Sequence, residues 1–318
     1  MKDANLHYTV AICTYNQCEM LQATLESINR TEVTSNDVIT IIVVNNNSKD
    51  NTEFVCKSFA PKSKYKFEYY FEDRQGLSFA RNRAIAETKD GIIIFTDDDV
   101  VVPKNWLATY MDEYSKSDVD AVYGPVFPEW RNDKPEWYDK KLDPSYALLD
   151  YGDQRFIAKS IYQEFYGANF SMKVDILKSY GGFDTNLGRT ADKLFIGEET
   201  EIFSKLLNEN RVIVYNPNIY VGHVIRSERK TKSYLIKYYK DVAESLAYLS
   251  VKKMKKSLLG IPLYKYKEFS SFYLMFIPKY FFYFCANKKG KLLVQFLELI
   301  RNNRLLFFYL KIYFSRTR

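Results

Sequence analysis

From Tyr8 to Thr14 an apolar run ends in the polar turn Thr14-Tyr15-Asn16, and across residues 18–30 Met20, Leu21, Leu25 and Ile28 recur at helical spacing. Val38 to Val44 is a near-continuous β-branched run, the pattern of a strand buried on both faces. It stops at Asn45-Asn46-Asn47-Ser48, whose side chains can bond the backbone and cap a following helix. Lys66 to Phe71 predicts a third strand, residues 77–89 a helix, and Gly91 to Phe95 a fourth strand running into Thr96-Asp97-Asp98-Asp99. This alternation predicts an α/β fold with a mainly parallel sheet, in which ligands bind beyond the carboxyl ends of the strands. All three polar clusters fall at such ends.

Beyond residue 120 the pattern loosens. Ala121 to Phe127 and Val212 to Tyr215 read as strands, the second as the last one, with His223 after it. Val174 to Tyr180 and Glu198 to Leu207 read as helices, and residues 128–153 as a long ordered loop rich in Trp, Pro and Tyr. Charge then separates the chain. The 318 residues carry +7, but residues 252–318 hold 15 basic and two acidic side chains, a charge of +13, which leaves −6 for the rest. The same 67 residues contain 17 of the 53 aromatics. We therefore expect a catalytic domain over residues 1–250 and a helical, basic-aromatic extension over 251–318.

Composition excludes several classes. The polar opening Met1-Lys2-Asp3-Ala4-Asn5 is not that of a secretory signal. Cys13, Cys18, Cys56 and Cys285 have neither zinc-site nor disulfide spacing, so reduced thiols of a cytosolic protein are expected. No P-loop or dinucleotide fingerprint is present. The most apolar stretch, Phe269 to Ala286, is interrupted by Pro278 and Lys279, which argues against a spanning helix. Lysines interleaved with aromatics suit an anionic membrane surface first and amphipathic helices packed on the catalytic domain second; the apolarity of these segments argues against nucleic acid.

The chemistry-bearing residues follow. Three adjacent carboxylates at the end of an apolar strand repel one another unless a cation offsets them, and hard oxygen ligands suit Mg²⁺ or Mn²⁺. In extended backbone Asp97 and Asp99 share one side and Asp98 faces the other. Glu198 and Glu199 follow Gly197, where a carboxylate is either a general base or an ordinary residue of a helix N-terminus. Arg81 and Arg83 flank Asn82 as phosphate ligands or as surface charge, and His223 is a metal ligand or a structural residue.

Seven motifs in order make the sequence resemble the family-2 glycosyltransferases. They are Val10 to Asn16, Val43 to Asp50, Gly76 to Asn82, Phe95 to Asp99, Gly167-Ala168-Asn169, Gly181 to Asp184, and Gly197 to Glu201. The resemblance spans roughly residues 8–240. It implies a GT-A fold, a nucleotide-sugar donor, a divalent cation (Mn²⁺ or Mg²⁺) and inverting chemistry. Carried onto this chain, it assigns the donor to Thr14, Tyr15, Asn16, Asn45, Asn47, Arg81, Asp97 and Asp98. It assigns the metal to Asp99, Asp97 and His223, and the acceptor to Gly167, Ala168 and Asn169. Glu199 takes the place of the family's usual catalytic Asp, with Glu198 as the alternative base. Asn45 stands where many members have Asp, exchanging an acceptor-only group for a mixed one.

The resemblance thus implies single displacement from a nucleotide sugar, UDP-linked in first instance, onto a glycan or lipid-linked hydroxyl in cell-surface polysaccharide synthesis. We expect a cytoplasmic enzyme held peripherally at the inner membrane face, with no nucleic-acid partner. The alternatives are a metal-dependent nucleotidyltransferase and a catalytically silent membrane-associated relative.

Overall fold

The computed structural model describes residues 6–33, 37–116, 118–131, 133–252 and 256–316. The chain divides into two compact units. Met1–Glu129, Ala147–Ala191 and Glu198–Val224 form the first, and Trp130–Tyr146, Asp192–Gly197 and Ile225–Arg318 the second.

The first unit opens with β1 (His7–Thr14), α1 (Cys18–Asn29), β2 (Val38–Asn45), α2 (Thr52–Phe59), β3 (Lys66–Phe71), α3 (Leu77–Glu87) and β4 (Ile92–Asp97). It continues through β5 (Val100–Val101), α4 (Trp106–Lys116), β6 (Ala121–Tyr123), β7 (Val126–Glu129), β8 (Phe156–Ile157) and β9 (Asn169–Lys173). It closes with α5 (Val174–Ser179), α6 (Glu198–Asn208), β10 (Ile213–Tyr215) and β11 (Val221–Val224). Eight strands form one sheet in the order β3-β2-β1-β4-β9-β6-β10-β8. β3, β2, β1 and β4 run parallel, β9 lies antiparallel between β4 and β6, and β8 is an antiparallel edge. The β-branched run of β2 is buried at seven of its eight positions, as expected for a strand covered on both faces.

The chain winds from β1 outward to β2 and β3, then returns to place β4 on the other side of β1. Such a reversal opens a crevice at the carboxyl ends of the two diverging strands. Those ends are Thr14 and Asp97, and Asp97 pairs in register with Cys13.

Three expectations change. The strand from Ala121 to Phe127 is two strands, broken at Gly124-Pro125, where Gly124 lies so close to the Ile219 carbonyl that no Cβ fits. Val212 to Tyr215 is not the last strand. Val221–Val224 forms β11 in a separate three-stranded sheet, β5-β11-β7, with His223 inside it and opposite Val100. Finally, β4 ends at Asp97, and Asp98 and Asp99 form the turn into β5, so extended alternation does not orient the triplet.

In the second unit, Trp130 meets Tyr138 and Tyr146 edge to face, with ring centroids 5.0 and 5.4 Å apart. Helix α7 (Lys232–Lys252) anchors the short segment 192–197: the backbone N–H of Leu194 donates to Asp241 and that of Ile196 to Ser245. After the short pair β12 (Ser257–Leu258) and β13 (Ile261–Pro262) come α8 (Leu263–Cys285) and α9 (Lys289–Arg316). Ala243 and Ala247 of α7 share a core with Ile261, Phe269 of α8, and Leu305, Phe308 and Tyr309 of α9. Lys253, Met254 and Lys255 of the basic run lie outside the described residues.

Candidate active site

Asp97, Asp99 and His223 come together at the carboxyl end of β4, each offering a ligand atom within 4.8 Å of the others. The His223 Nε2 lies 3.0 Å from Asp99 Oδ1, and both side chains are almost wholly buried. Pairing of β11 with β5 brings the imidazole here, across a sequence gap that no periodicity spans. Two carboxylates and an imidazole form a donor set that fits Mn²⁺ or Mg²⁺ in chemistry. Asp98 is half-buried, and its carbonyl accepts from the Thr24 hydroxyl, which fixes the turn.

A second cluster forms where α3 meets the start of α6. The buried Arg81 guanidinium donates to Glu199 at 2.9 Å and reaches Glu198 at 3.2 Å. It also sits over the Phe183 ring, 5.4 Å from its centroid. Two carboxylates so close to one cation cannot behave alike. Burial, with the neighbouring Glu199 charge, pushes the Glu198 carboxyl up to about 8. Burial acts on Glu199 in the same direction. However, Arg81 and the hydrogen bond from Glu198 outweigh it and hold Glu199 below the usual carboxylate range. Near neutral pH the cluster therefore presents one ionised carboxylate, Glu199, which is also the more exposed of the two at 18%. Arg81 senses the Asp97 charge as well, so both clusters belong to one electrostatic system.

Gly167 lies directly against this second cluster. A Cβ there would collide with Arg81 Nη2 and Glu199 Oε1. The Ala168 carbonyl accepts from Thr96, which ties the segment to the end of β4. Asn169 is engaged differently. Its Oδ1 accepts from Trp106 Nε1 and Tyr110 Oη at 3.0 and 2.9 Å, and its Nδ2 donates to the Pro125 and Ile219 carbonyls at 3.0 and 2.7 Å. With every polar valence used inside the fold, Asn169 positions the loops around it.

The remaining expected residues form a stitched rim. The Asn16 backbone N–H donates to Ser48 Oγ, and Asn16 Oδ1 accepts from the Lys49 backbone. Asn45 accepts from the Ser48 backbone and donates to the Tyr69 hydroxyl. Asn16 and Asn47 both adopt left-handed backbone, with φ of 52° and 62°, which Asn tolerates better than most residues. Tyr15 is half-buried, whereas the Thr14 hydroxyl is buried without a hydrogen-bond partner among the described residues. Arg83 pairs instead with Glu87 along its own helix, 2.6 Å away.

Asn46, whose cluster is expected to bond the backbone, and Asn82, for which the sequence suggests no role, both hold the framework of the site. Asn46 donates to the Glu72 and Arg74 carbonyls and accepts from the Gly76 N–H, which sets the entry to α3. Asn82 bonds both backbone groups of Phe183, the ring beneath Arg81. Their signal was present, since polar residues flanked by buried neighbours must find partners.

A largely parallel sheet thus carries a carboxylate–imidazole group and an arginine-held carboxylate pair beyond its switch point, an arrangement that fits the GT-A fold. The chain belongs to glycosyl transferase family 2, whose family model matches residues 9–181. It is 25% identical over 232 residues to the glucosyl-dolichyl phosphate glucuronosyltransferase of Haloferax volcanii, covering 72% of each chain. Among solved structures, the mannosyltransferase PcManGT of Pyrobaculum calidifontis, in complex with GDP-Man and Mn²⁺, superposes with a TM-score of 0.59 at 15% identity. That match covers 99% of this chain and 75% of the other. GalNAc-T7 with UDP, GalNAc and Mn²⁺ gives 0.56 at 17% identity, covering 79% and 51%. At these identities the structures establish the fold, and the family match makes the chain a glycosyltransferase.

Proposed function

We propose that the chain moves a sugar from a nucleotide sugar, UDP-linked in first instance, to a hydroxyl of a glycan or lipid-linked acceptor, with inversion. The setting we propose is cell-surface polysaccharide synthesis at the anionic, cytoplasmic face of the membrane. The relative that acts on a glucosyl-dolichyl phosphate supports a lipid-linked acceptor, and the nucleotide-bound neighbours support the donor class.

One observation carries the reading: Glu199, paired with Arg81 at 2.9 Å, lies in the same strand-end crevice as the Asp97–Asp99–His223 group, whose Asp97 charge also acts on Arg81. Glu199 accepts the proton of the acceptor hydroxyl as that oxygen bonds to the anomeric carbon. On the opposite face, the bond from that carbon to the diphosphate breaks, and the electron pair leaves with the nucleoside diphosphate. Arg81 keeps Glu199 ionised and oriented, and protonated Glu198 donates to it. Asp99, Asp97 and His223 would hold a divalent cation, Mn²⁺ or Mg²⁺, which would offset the charge developing on the diphosphate. The Thr14–Asn16 and Asn45–Asn47 rim receives the nucleoside, with the buried Thr14 hydroxyl awaiting a polar partner. Gly167 packs directly against Arg81 and Glu199, which brings the Gly167–Ala168 segment beside the base, where we place the acceptor.

The experiment is a thermal-shift screen of the full chain with UDP-, GDP- and dTDP-sugars, with and without Mn²⁺, in wild type and Asp99→Ala. A metal-dependent rise for one nucleotide, absent in the variant, is the expected outcome and names the base. No rise with any donor would overturn the assignment.

A further inference from the structure

Helix α8 departs from every other long helix of the chain. Of its 23 residues only Phe269 is buried, whereas α7 buries eight of 21. No residue from Ser270 to Lys289 is buried. Its composition is nonetheless apolar: from Phe269 to Leu297 there is no acidic residue, and the only charges are Lys279, Lys288, Lys289 and Lys291.

The exposed residues are ordered. Leu274, Ile277, Phe281 and Phe284 follow one another at spacings of three, four and three, and so fall on one helical face. They are 77%, 74%, 67% and 66% exposed. Met275 and Phe282 widen the stripe, and Tyr273 and Tyr280 border it. At the border of the stripe α8 is held to α9, where the Tyr273 hydroxyl donates to Asn303 at 2.6 Å.

The end of the helix is locked. The Asn287 N–H donates to the Phe284 carbonyl and the Lys288 N–H to that of Tyr283, with Asn287 at φ 51°. This paired closure with a left-handed residue is a Schellman turn. It fixes Lys288, Lys289 and Lys291 at the tip, next to the apolar stripe.

We infer that the C-terminal half of α8 is an in-plane membrane helix. In this arrangement Leu274, Ile277, Phe281 and Phe284 enter the acyl boundary of an anionic phospholipid leaflet, and the lysines of the tip meet its headgroups. The inference rests on the membrane reading above and narrows it to one face. No helix among the described residues is long and apolar enough to cross a bilayer, which leaves lying along it. The charge points to the occupant: the segment's four lysines, with Asp139 beside Gly290 at the tip as a lesser opposing charge, complement an acidic lipid surface. A contiguous exposed apolar face bordered by tyrosines suits that boundary too.

The test is co-sedimentation of the full chain with vesicles of equal parts phosphatidylglycerol and phosphatidylcholine, and with vesicles of phosphatidylcholine alone. The variants are Ile277→Glu/Phe281→Glu and, separately, Lys288→Ala/Lys289→Ala/Lys291→Ala. Solution mass and melting temperature are measured alongside. Because the substituted side chains are exposed, melting should not change. The stripe variant should lose about a hundredfold in vesicle partitioning, the scale expected for two apolar side chains kept out of hydrocarbon. The lysine variant should lose about tenfold or more, on anionic vesicles only.

If the wild-type chain binds and the stripe variant binds equally well, α8 is not the inserted element, although the membrane reading survives. If the wild-type chain ignores anionic vesicles, both fail. If the stripe variant instead converts an oligomer to a monomer with vesicle binding intact, the face joins two copies of the chain and the inference is overturned.

Discussion

The first unit takes Arg81, Glu198, Asp99 and His223 out of water, and the second leaves Leu274, Ile277, Phe281 and Phe284 in it. Both arrangements run against the ordinary sorting of side chains, and each opposes a different free energy. Buried charges need partners, and here each has one: Arg81 has two glutamates, and Asp99 has His223. Exposed apolar groups need a cover, and α8 shows none among the described residues. The contrast teaches how to read departures from the rule. A buried charge with a partner is compensated inside the fold, whereas an apolar face in water is half of an interaction.

Several substitutions would break or sharpen this contrast. The largest effect belongs to Glu199→Gln. It should lower kcat by about 10²–10⁴-fold while leaving donor-induced thermal stabilisation in place, as expected for removal of a general base. Steady-state kinetics beside a thermal-shift assay would read the two apart; equal loss in both would make Glu199 a donor ligand instead.

Next comes Ile42→Ala in β2, where the side chain is fully enclosed and truncation should cost roughly 2–5 kcal/mol in denaturant unfolding. The same truncation on the exposed stripe, Ile277→Ala, should stay within about 0.5 kcal/mol. A comparable loss at both sites would mean that α8 is covered in solution and would dissolve the contrast.

A smaller effect concerns pH. Because the Glu198 carboxyl is raised in the folded chain, its protonated form contributes stability that is fully present below the ordinary carboxylate value. That contribution is lost as pH rises through about 8. Melting temperature should therefore fall across this window in wild type and fall less in Glu198→Gln. Glu199 has the opposite sign: its depressed value keeps it ionised, so activity should be lost only as pH falls below the usual carboxylate range.

The parallel half of the sheet was legible because β1 to β4 are apolar runs punctuated by polar clusters, and those punctuation marks are the strand ends that carry the site. The Asp97–Asp99 pairing was legible too, although the route to it was not, since a turn and not an extended strand brings the two carboxylates round. β11 escaped notice because four residues containing Gly222 carry no period, and its partners lie in a small separate sheet. The Arg81 ion pairs bridge more than a hundred positions, and local pattern cannot report them. Asn169 shows the converse: its motif was recognisable, yet only the packed structure reveals that its amide is fully engaged.

Among the glycines of the first unit that lack room for a methyl group, Gly91, Gly124 and Gly167 show how the nature of the obstruction differs. At Gly91 and Gly124 the obstructing atoms are backbone carbonyls, of His7 and Ile219, so a side chain there must deform the framework. At Gly167 they are the movable tips of Arg81 and Glu199. A framework that cannot yield loses its fold; side-chain tips that can yield lose their alignment. Position 167 is therefore where a single added carbon separates being folded from being active, and a descendant of this chain could fall silent there while its architecture stayed intact.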